Sequence, residues 1–326
     1  MIRVDPYAEN FLIAEQETGL TSHKEFIRAR LTGRRRGYSP KKSFWRWWKG
    51  VRVRIILSRK GFDSENGGYP SIVSPQGNLL SLPIPSATDK LCFSELTYEN
   101  SNVLELMKRL GIKKFTSTNT CHLDPDICRD VIRRPPDWRG AFGQVGAAQK
   151  HLENNNIGVG DLFLFFGWFR KTKENTYGQM EYVGPDFHLI YGFLQVGEII
   201  RVHNNKNIPL WLSNHPHTNI EKYLEMKAGT NNTIYLASNE LTFLRGVPGY
   251  GCFKFDPKLV LTKAGETRTH WALPQEFRGI RITYHTDENW KSGYFKSADR
   301  GQEFIFEEKR LIGKWGCEII KAGLGI

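Results

Sequence analysis

Two long apolar runs joined by a polar connection constrain the fold of this chain more than any other feature. Gly160 and Asp161 open the first, Leu162 to Phe169, and after a stretch rich in Lys, Asn and Gly the second runs from Phe187 to Ile200. Aromatic and β-branched runs punctuated by turn residues read as strands, and two so close in sequence read as a hairpin. Shorter runs of the same texture predict strands at 51–57, where Val and Ile alternate with Arg, and near Thr233–Ala237, Gly251–Phe255, Arg278–Tyr284 and Glu303–Phe306. Helical spacing occurs within Ser94–Leu110, ahead of Gly111, and within Gly143–Leu152. The expected body is α+β and β-rich, with a barrel-like core and flanking helices.

The 326 residues leave room for two domains or one large elaborated one. With 40% hydrophobic and 25% charged residues the chain matches globular proteins and excludes a fibrous repeat or wholesale disorder. Its apolar runs fall far short of the ~20 residues of a membrane-spanning helix. Asp5, Glu9, Glu15 and Glu17 stand where a signal peptide would place its apolar core. A cytoplasmic protein with no membrane partner is expected. Cys92, Cys121, Cys128, Cys252 and Cys317 are odd in number and form no C-x-x-C, so the expectation is reduced thiols and neither a disulfide framework nor a zinc ribbon.

Charge divides the chain near residue 50. The formal net charge is +12, which points to a polyanionic partner. Between Ser22 and Gly50 ten Lys/Arg face one acidic residue. Arg34, Arg35, Arg36, Lys41, Lys42 and Arg46 are interleaved with or followed by Trp47 and Trp48, a mixture that neutralises phosphates and stacks on bases. Residues 1–50 are thus read as a basic aromatic nucleic-acid arm, and residues 51–326 as the folded body. A solvated tail with docked aromatics is the plainer reading. Gly33, Gly37 and Pro40 oppose a membrane-surface helix.

Polar motifs punctuate the body. The loop SRKGFDSENGGYPS brings Arg59, Lys60 and Asp63 out of a strand end beside glycines that admit close approach of a ligand, although it lacks the Walker A pattern. In CHLDPD, His122, Asp124 and Asp126 are the residue types for acid–base work or divalent metal binding, while Pro125 suits an ordinary turn equally well. Gln144 and Gln149 carry amides able to pair with a base edge. His215 and His217 form an H-x-H that could hold zinc, but no third ligand stands at a recognisable spacing, so the sequence assigns no metal centre and names no cofactor.

The hairpin, with its GD opening and I-x-G-x-x-x-V-x-E-I-like second strand, resembles that of PUA-like barrels, the group that includes ASCH and EVE modules. That resemblance implies a nucleobase-binding pocket. A more specific one runs from Val53 to Ile320. The ordered series SRKGFDS, LPIP, CHLDPD, FGQVGAAQKHL, GDLFLFFGWFR, HLIYGFLQVGEII, NHPH, LPQEF and GQEF resembles the nucleotide-modification-associated domain, type three, of bacteria and their phages. It implies a setting of DNA base modification or phage–bacteria conflict and leaves the reaction open. On the matching motifs, Lys60, Asp63, His122 and Asp124 become candidate catalytic residues, and Arg59, Gln144, Gln149, Arg170, His188, His215 and His217 candidate nucleotide contacts.

The resulting expectation is an enzyme that modifies a nucleobase in DNA or processes a modified nucleotide, with DNA as the expected partner, RNA as a second and neighbouring base-modification proteins as associates. Arg59, Lys60 and Arg170 would bind phosphate or a developing anion, Asp63 or Asp124 would accept a proton, and the glutamines would read a base edge. A non-catalytic reader of a modified or flipped base is the alternative. A phage-defence nuclease or toxin is a third, although no PD-(D/E)xK-like spacing is present. Zinc deamination is disfavoured by the missing H-x-E with P-C-x-x-C.

Overall fold

The computed structural model describes residues 53–99, 101–204, 208–225, 231–298 and 303–326. The arm residues Arg34, Arg35, Arg36, Lys41, Lys42, Arg46, Trp47 and Trp48 lie outside them. Nine strands form the main sheet: β1 (Ile55–Arg59), β2 (Ser71–Val73), β3 (Leu79–Leu80), β4 (Ala141–Gln144), β5 (Leu162–Glu174), β6 (Met180–Arg201), β7 (Thr233–Ala237), β8 (Tyr250–Cys252) and β9 (Glu303–Ile305). The sheet curls into a half-barrel, and the fold is α+β and β-rich.

The hairpin expected from the two apolar runs is the spine of this sheet. β5 and β6 pair antiparallel from Leu162↔Gln195 to Met180↔Glu174, with register shifts at Val183/Phe187 and Ile190/Gly192. Both strands outrun their apolar segments, and beyond them Lys173, Glu174 and Glu181 are exposed while Thr172 is buried and Met180 and Tyr182 pack on a second core. β1 runs parallel to β5 from Ile55↔Leu162 to Arg59↔Phe166, and β2 continues parallel along the same edge from Ser71↔Phe169. The SRKGFDS loop leaves the sheet between them. β9 closes on β1, and on the other side β7 joins β6 and β4 joins β7, all antiparallel.

Helices and a second core lean on this frame. Helix α1 (Val103–Arg109) buries Val103, Leu104, Leu106 and Met107 in that second core with Phe62, Phe93 and Phe115, and Asn102 caps it by accepting the Glu105 N–H at 3.2 Å. The others are α2 (Gly146–Asn154), the short α3 (Ile220–Glu225) and α4 (Arg310–Leu324), whose Ile312, Cys317, Ile319 and Ile320 are buried.

The helix expected within Ser94–Leu110 is there, Val103–Arg109 ahead of Gly111, preceded by a tight 3-10 turn at Phe93–Glu95 and the pairing of Thr97–Tyr98 with Ser101–Asn102. Several other expectations change. Gly143–Leu152 is split, Gln144 ending β4 and the helix starting at Gly146, whose φ of +65° needs glycine. Arg278–Tyr284 makes a single bridge, Ile282↔Phe306, in place of a strand. The five-thiol reading is also overturned. β8 lies against β6 and carries Cys252 to within 5.6 Å, Cα to Cα, of Cys128, and the two form a disulfide, leaving Cys92, Cys121 and Cys317 free. Among the described residues no helix is long and apolar enough to cross a membrane.

Candidate functional site

The start of β4 gathers the polar motifs. Asp126 and Ala141 exchange backbone hydrogen bonds of 2.8 and 2.9 Å, which lays the CHLDPD segment along β4, while Cys121 and His122 pair with Pro85 and Ile84. Asp124 is thereby set beside Gly143, whose N–H donates to its Oδ1 at 2.7 Å. The NHPH loop arrives from the other side as a 3-10 turn, Pro216–Thr218. Its His217 ring fills the space over Gly143. A Cβ there would stand 2.1 Å from His217 Cδ2, so the glycine is a requirement of the packing.

Four side chains meet here. His122, Asp124 and His217 each place one ligand atom within 4.8 Å of the other two. His215 Nε2 lies 3.3 Å from Asp124 Oδ1, off the line of a hydrogen bond, and is buried with no hydrogen-bond partner. The surroundings fix the rings. His122 Nδ1 stands 2.8 Å from the Asp89 carboxylate, which also accepts from Lys222 of α3 at 2.7 Å. His217 Nδ1 stands 2.7 Å from Asn232 Oδ1, and that ring stacks on Tyr223 at 4.8 Å.

Electrostatics polarise the cluster. Burial alone would raise the Asp124 carboxyl, but His215 and Lys60 hold it well below the usual carboxylate range, so it is ionised at neutral pH. Asp89 is held down in the same way, against the effect of its burial, by His122 and Lys222. Burial pushes His217 down to about 3, which outweighs the opposing pull of Asp124 and keeps its imidazole neutral. A cavity of about 460 Å³, within the usual size for a small-ligand site, opens beside the cluster and is walled by Asp89, Cys121, Leu123, His215, Asn219 and Ile220.

A second polar group lies on the β1–β9 side of β4. Glu303, only 1% exposed, accepts at Oε1 from Gln144 Nε2 at 2.7 Å and Ser58 Oγ at 3.2 Å, with Lys60 Nζ at 3.3 Å. Its Oε2 is buried without a hydrogen bond. Lys60 also stands over the Phe142 ring at 4.5 Å and contributes to holding Asp124 ionised, so it links the two groups.

The remaining sequence candidates lie apart from this centre or are engaged in support. The Asp63 carboxylate accepts from the Glu65 and Asn66 N–H groups of its own loop, at 2.8 and 2.5 Å. Gln149 accepts the Tyr235 hydroxyl at 3.1 Å and donates to Glu153. Arg59 donates to the Ala298 carbonyl, Arg170 to the Gly184 carbonyl, and buried His188 accepts the Trp271 indole N–H at 3.1 Å. Sequence reasoning missed Asp89, Asn232, Lys222 and Glu303. Glu303 stood in the GQEF motif, which was the one available signal; the other three had none.

No curated protein and no solved structure matches the chain. The family pattern described as nucleotide modification associated domain 3 matches residues 54–307, a span that holds every residue of both polar groups. By that match over most of its length, the chain belongs to the nucleotide modification associated domain 3 family.

Proposed function

We propose that the protein is an enzyme that acts on a nucleobase, in DNA or as a nucleotide, with the Asp124 cluster as its acid–base centre. One observation carries the reading: an ionised, buried carboxylate flanked by His122, His215 and His217, with Lys60 helping to hold it ionised, brought together from three segments beside a ligand-sized cavity that His215 helps to wall. Strongly perturbed, clustered titratable groups beside a cavity mark functional sites more often than structural ones. Family membership supplies the nucleotide-modification setting.

In this reading the ionised Asp124 and the imidazoles around it orient and polarise the substrate or an attacking water, and Lys60 stabilises the negative charge that develops next to them. Lys60 is kept in place by Glu303, and Gln144 holds that glutamate, which makes Gln144 a positioning residue. The basic arm, with Arg34, Arg35, Arg36, Lys41 and Lys42, supplies phosphate contacts that hold duplex DNA without selecting sequence.

The test is nucleoside mass spectrometry on DNA and on the free nucleotide pool from cells expressing the full chain or its Asp124→Asn variant. The wild type should shift the abundance of at least one nucleoside, and the variant should lose about two to three orders of magnitude in rate, as for loss of a group that stabilises developing charge. Equal nucleoside profiles with and without the wild-type chain, combined with retained binding of modified duplex, would instead establish the non-catalytic reader.

A further inference from the structure

We infer that His122, Asp124 and His217 bind one divalent transition-metal ion, which deepens the reading above by giving its acid–base centre a metal cofactor. The site is marked by the ring and carboxylate atoms left over once the surrounding hydrogen bonds are made. Asn232 Nδ2 donates to the His217 backbone carbonyl at 2.8 Å, so the Asn232 amide has one orientation and its Oδ1 is an acceptor. The 2.7 Å contact between that oxygen and His217 Nδ1 therefore requires the proton on Nδ1. Nε2 of His217 is left with its lone pair.

The same logic holds for His122. Its Nδ1 faces a carboxylate, Asp89, which is further occupied by Lys222, so Nδ1 carries the proton and Nε2 the lone pair. Asp124 has Oδ1 engaged by the Gly143 N–H and approached by His215, which leaves Oδ2 as the oxygen that would face an ion. His215 is excluded as a ligand through Nδ1, since that atom accepts the His217 backbone N–H at 3.3 Å. It is a positioning residue for the carboxylate.

Two imidazole nitrogens and one carboxylate oxygen, with further positions open, form the donor set of catalytic zinc sites and of non-haem iron sites. A histidine ligand held at its other nitrogen by a carboxylate or amide is the outer shell that such sites carry, and Asp89 and Asn232 fill that role for the two rings. Bonds of ~2.1 Å place tetrahedral donors ~3.4 Å apart. One potential ligand atom of each residue already lies within 4.8 Å of the other two, so side-chain adjustments on the ångström scale close the site. The His122 side chain is 16% exposed, so an ion can enter from that side.

The experiment uses the full chain stripped with chelator, then titrated in separate arms with Zn²⁺, with Fe²⁺ under anaerobic conditions, with Co²⁺ and with Mg²⁺. The readouts are calorimetry, elemental analysis after gel filtration, and the visible absorption of bound Co²⁺. We expect one transition-metal ion per chain, no comparable Mg²⁺ binding, and at least a 100-fold loss of affinity in His122→Ala and His217→Ala. Asp89→Asn should lose about 10- to 100-fold, the usual effect of removing an outer-shell partner, while exposed His203→Ala should match the wild type. Circular dichroism of each variant separates lost binding from lost folding. Transition-metal binding that survives in folded His122→Ala/His217→Ala, or binding no tighter than that of Mg²⁺, overturns the inference. Nucleoside modification by the metal-free chain would overturn it too while leaving the proposed function standing; metal binding without any modification would do the reverse.

Discussion

Replacing Lys60 by Met should destabilise the protein by about 3 kcal/mol at pH 7. Lys60 Nζ lies 3.3 Å from Glu303 Oε1, with the two side chains 10% and 1% exposed. At that distance and an effective dielectric of ~20 the attraction is ~5 kcal/mol, most of it spent on removing both charges from water. Deleting the cation leaves the carboxylate buried with only Ser58 and Gln144 donating to it, and a stranded buried charge costs about 3–5 kcal/mol. Urea unfolding followed by tryptophan fluorescence at pH 7 measures the loss. Lys60→Met/Glu303→Gln should recover much of the loss, giving a coupling of at least ~2 kcal/mol in the double-mutant cycle. A loss below ~1 kcal/mol at pH 7, or a coupling near zero in the cycle, would show that the pair is not a buried, coupled one.

Three other perturbations follow from the same structure and sequence. Gly143→Ala puts a methyl 2.1 Å from His217 Cδ2, so the ring must move by more than about an ångström; the variant should lose ~1–3 kcal/mol in thermal unfolding and most of its metal affinity, and unaltered binding would mean the ring does not need that space. Burial, aided by Arg59 and Arg268, pushes His188 down to about 3, below its unfolded value of 6.5. The unfolded chain therefore takes up that proton first as pH falls, and stability present above pH 6.5 is lost toward pH 3 at up to ~1.4 kcal/mol per unit. His188→Gln should flatten the stability profile in that window, and a parallel profile would refute the assignment. Changing Arg34, Arg35, Arg36, Lys41 and Lys42 together to Ala should reduce the log–log salt slope of duplex binding by ~0.9 for each phosphate that is no longer neutralised, and an unchanged slope would remove the arm from the interface.

The sequence alone determined the β-rich class and its central hairpin, because the signal for both is local: Leu162–Phe166 and Leu189–Val196 are largely apolar, and Gly160-Asp161 marks the turn before the first of them. It also named His122, Asp124, His215 and His217 from residue type and their short spacings. The C-terminal helix α4 escaped because Gly313, Gly316 and Gly323 interrupt its helical character, yet packing demands small residues there, a Cβ on Gly316 meeting Ile55 at 2.7 Å. The sequence showed no partner for Cys128, since Cys252 reaches it only through the pairing of β8 with β6. The proposed metal set was illegible for the same reason. No spacing rule links CHLDPD to NHPH; Gly143 of β4 joins them, donating to Asp124 and making room for His217. Which nitrogen of each ring keeps its lone pair is decided later still, by Asp89 and Asn232 arriving from two other segments. Local pattern fixes strands and residue types, whereas the direction of a lone pair depends on long-range contacts that only the folded chain makes.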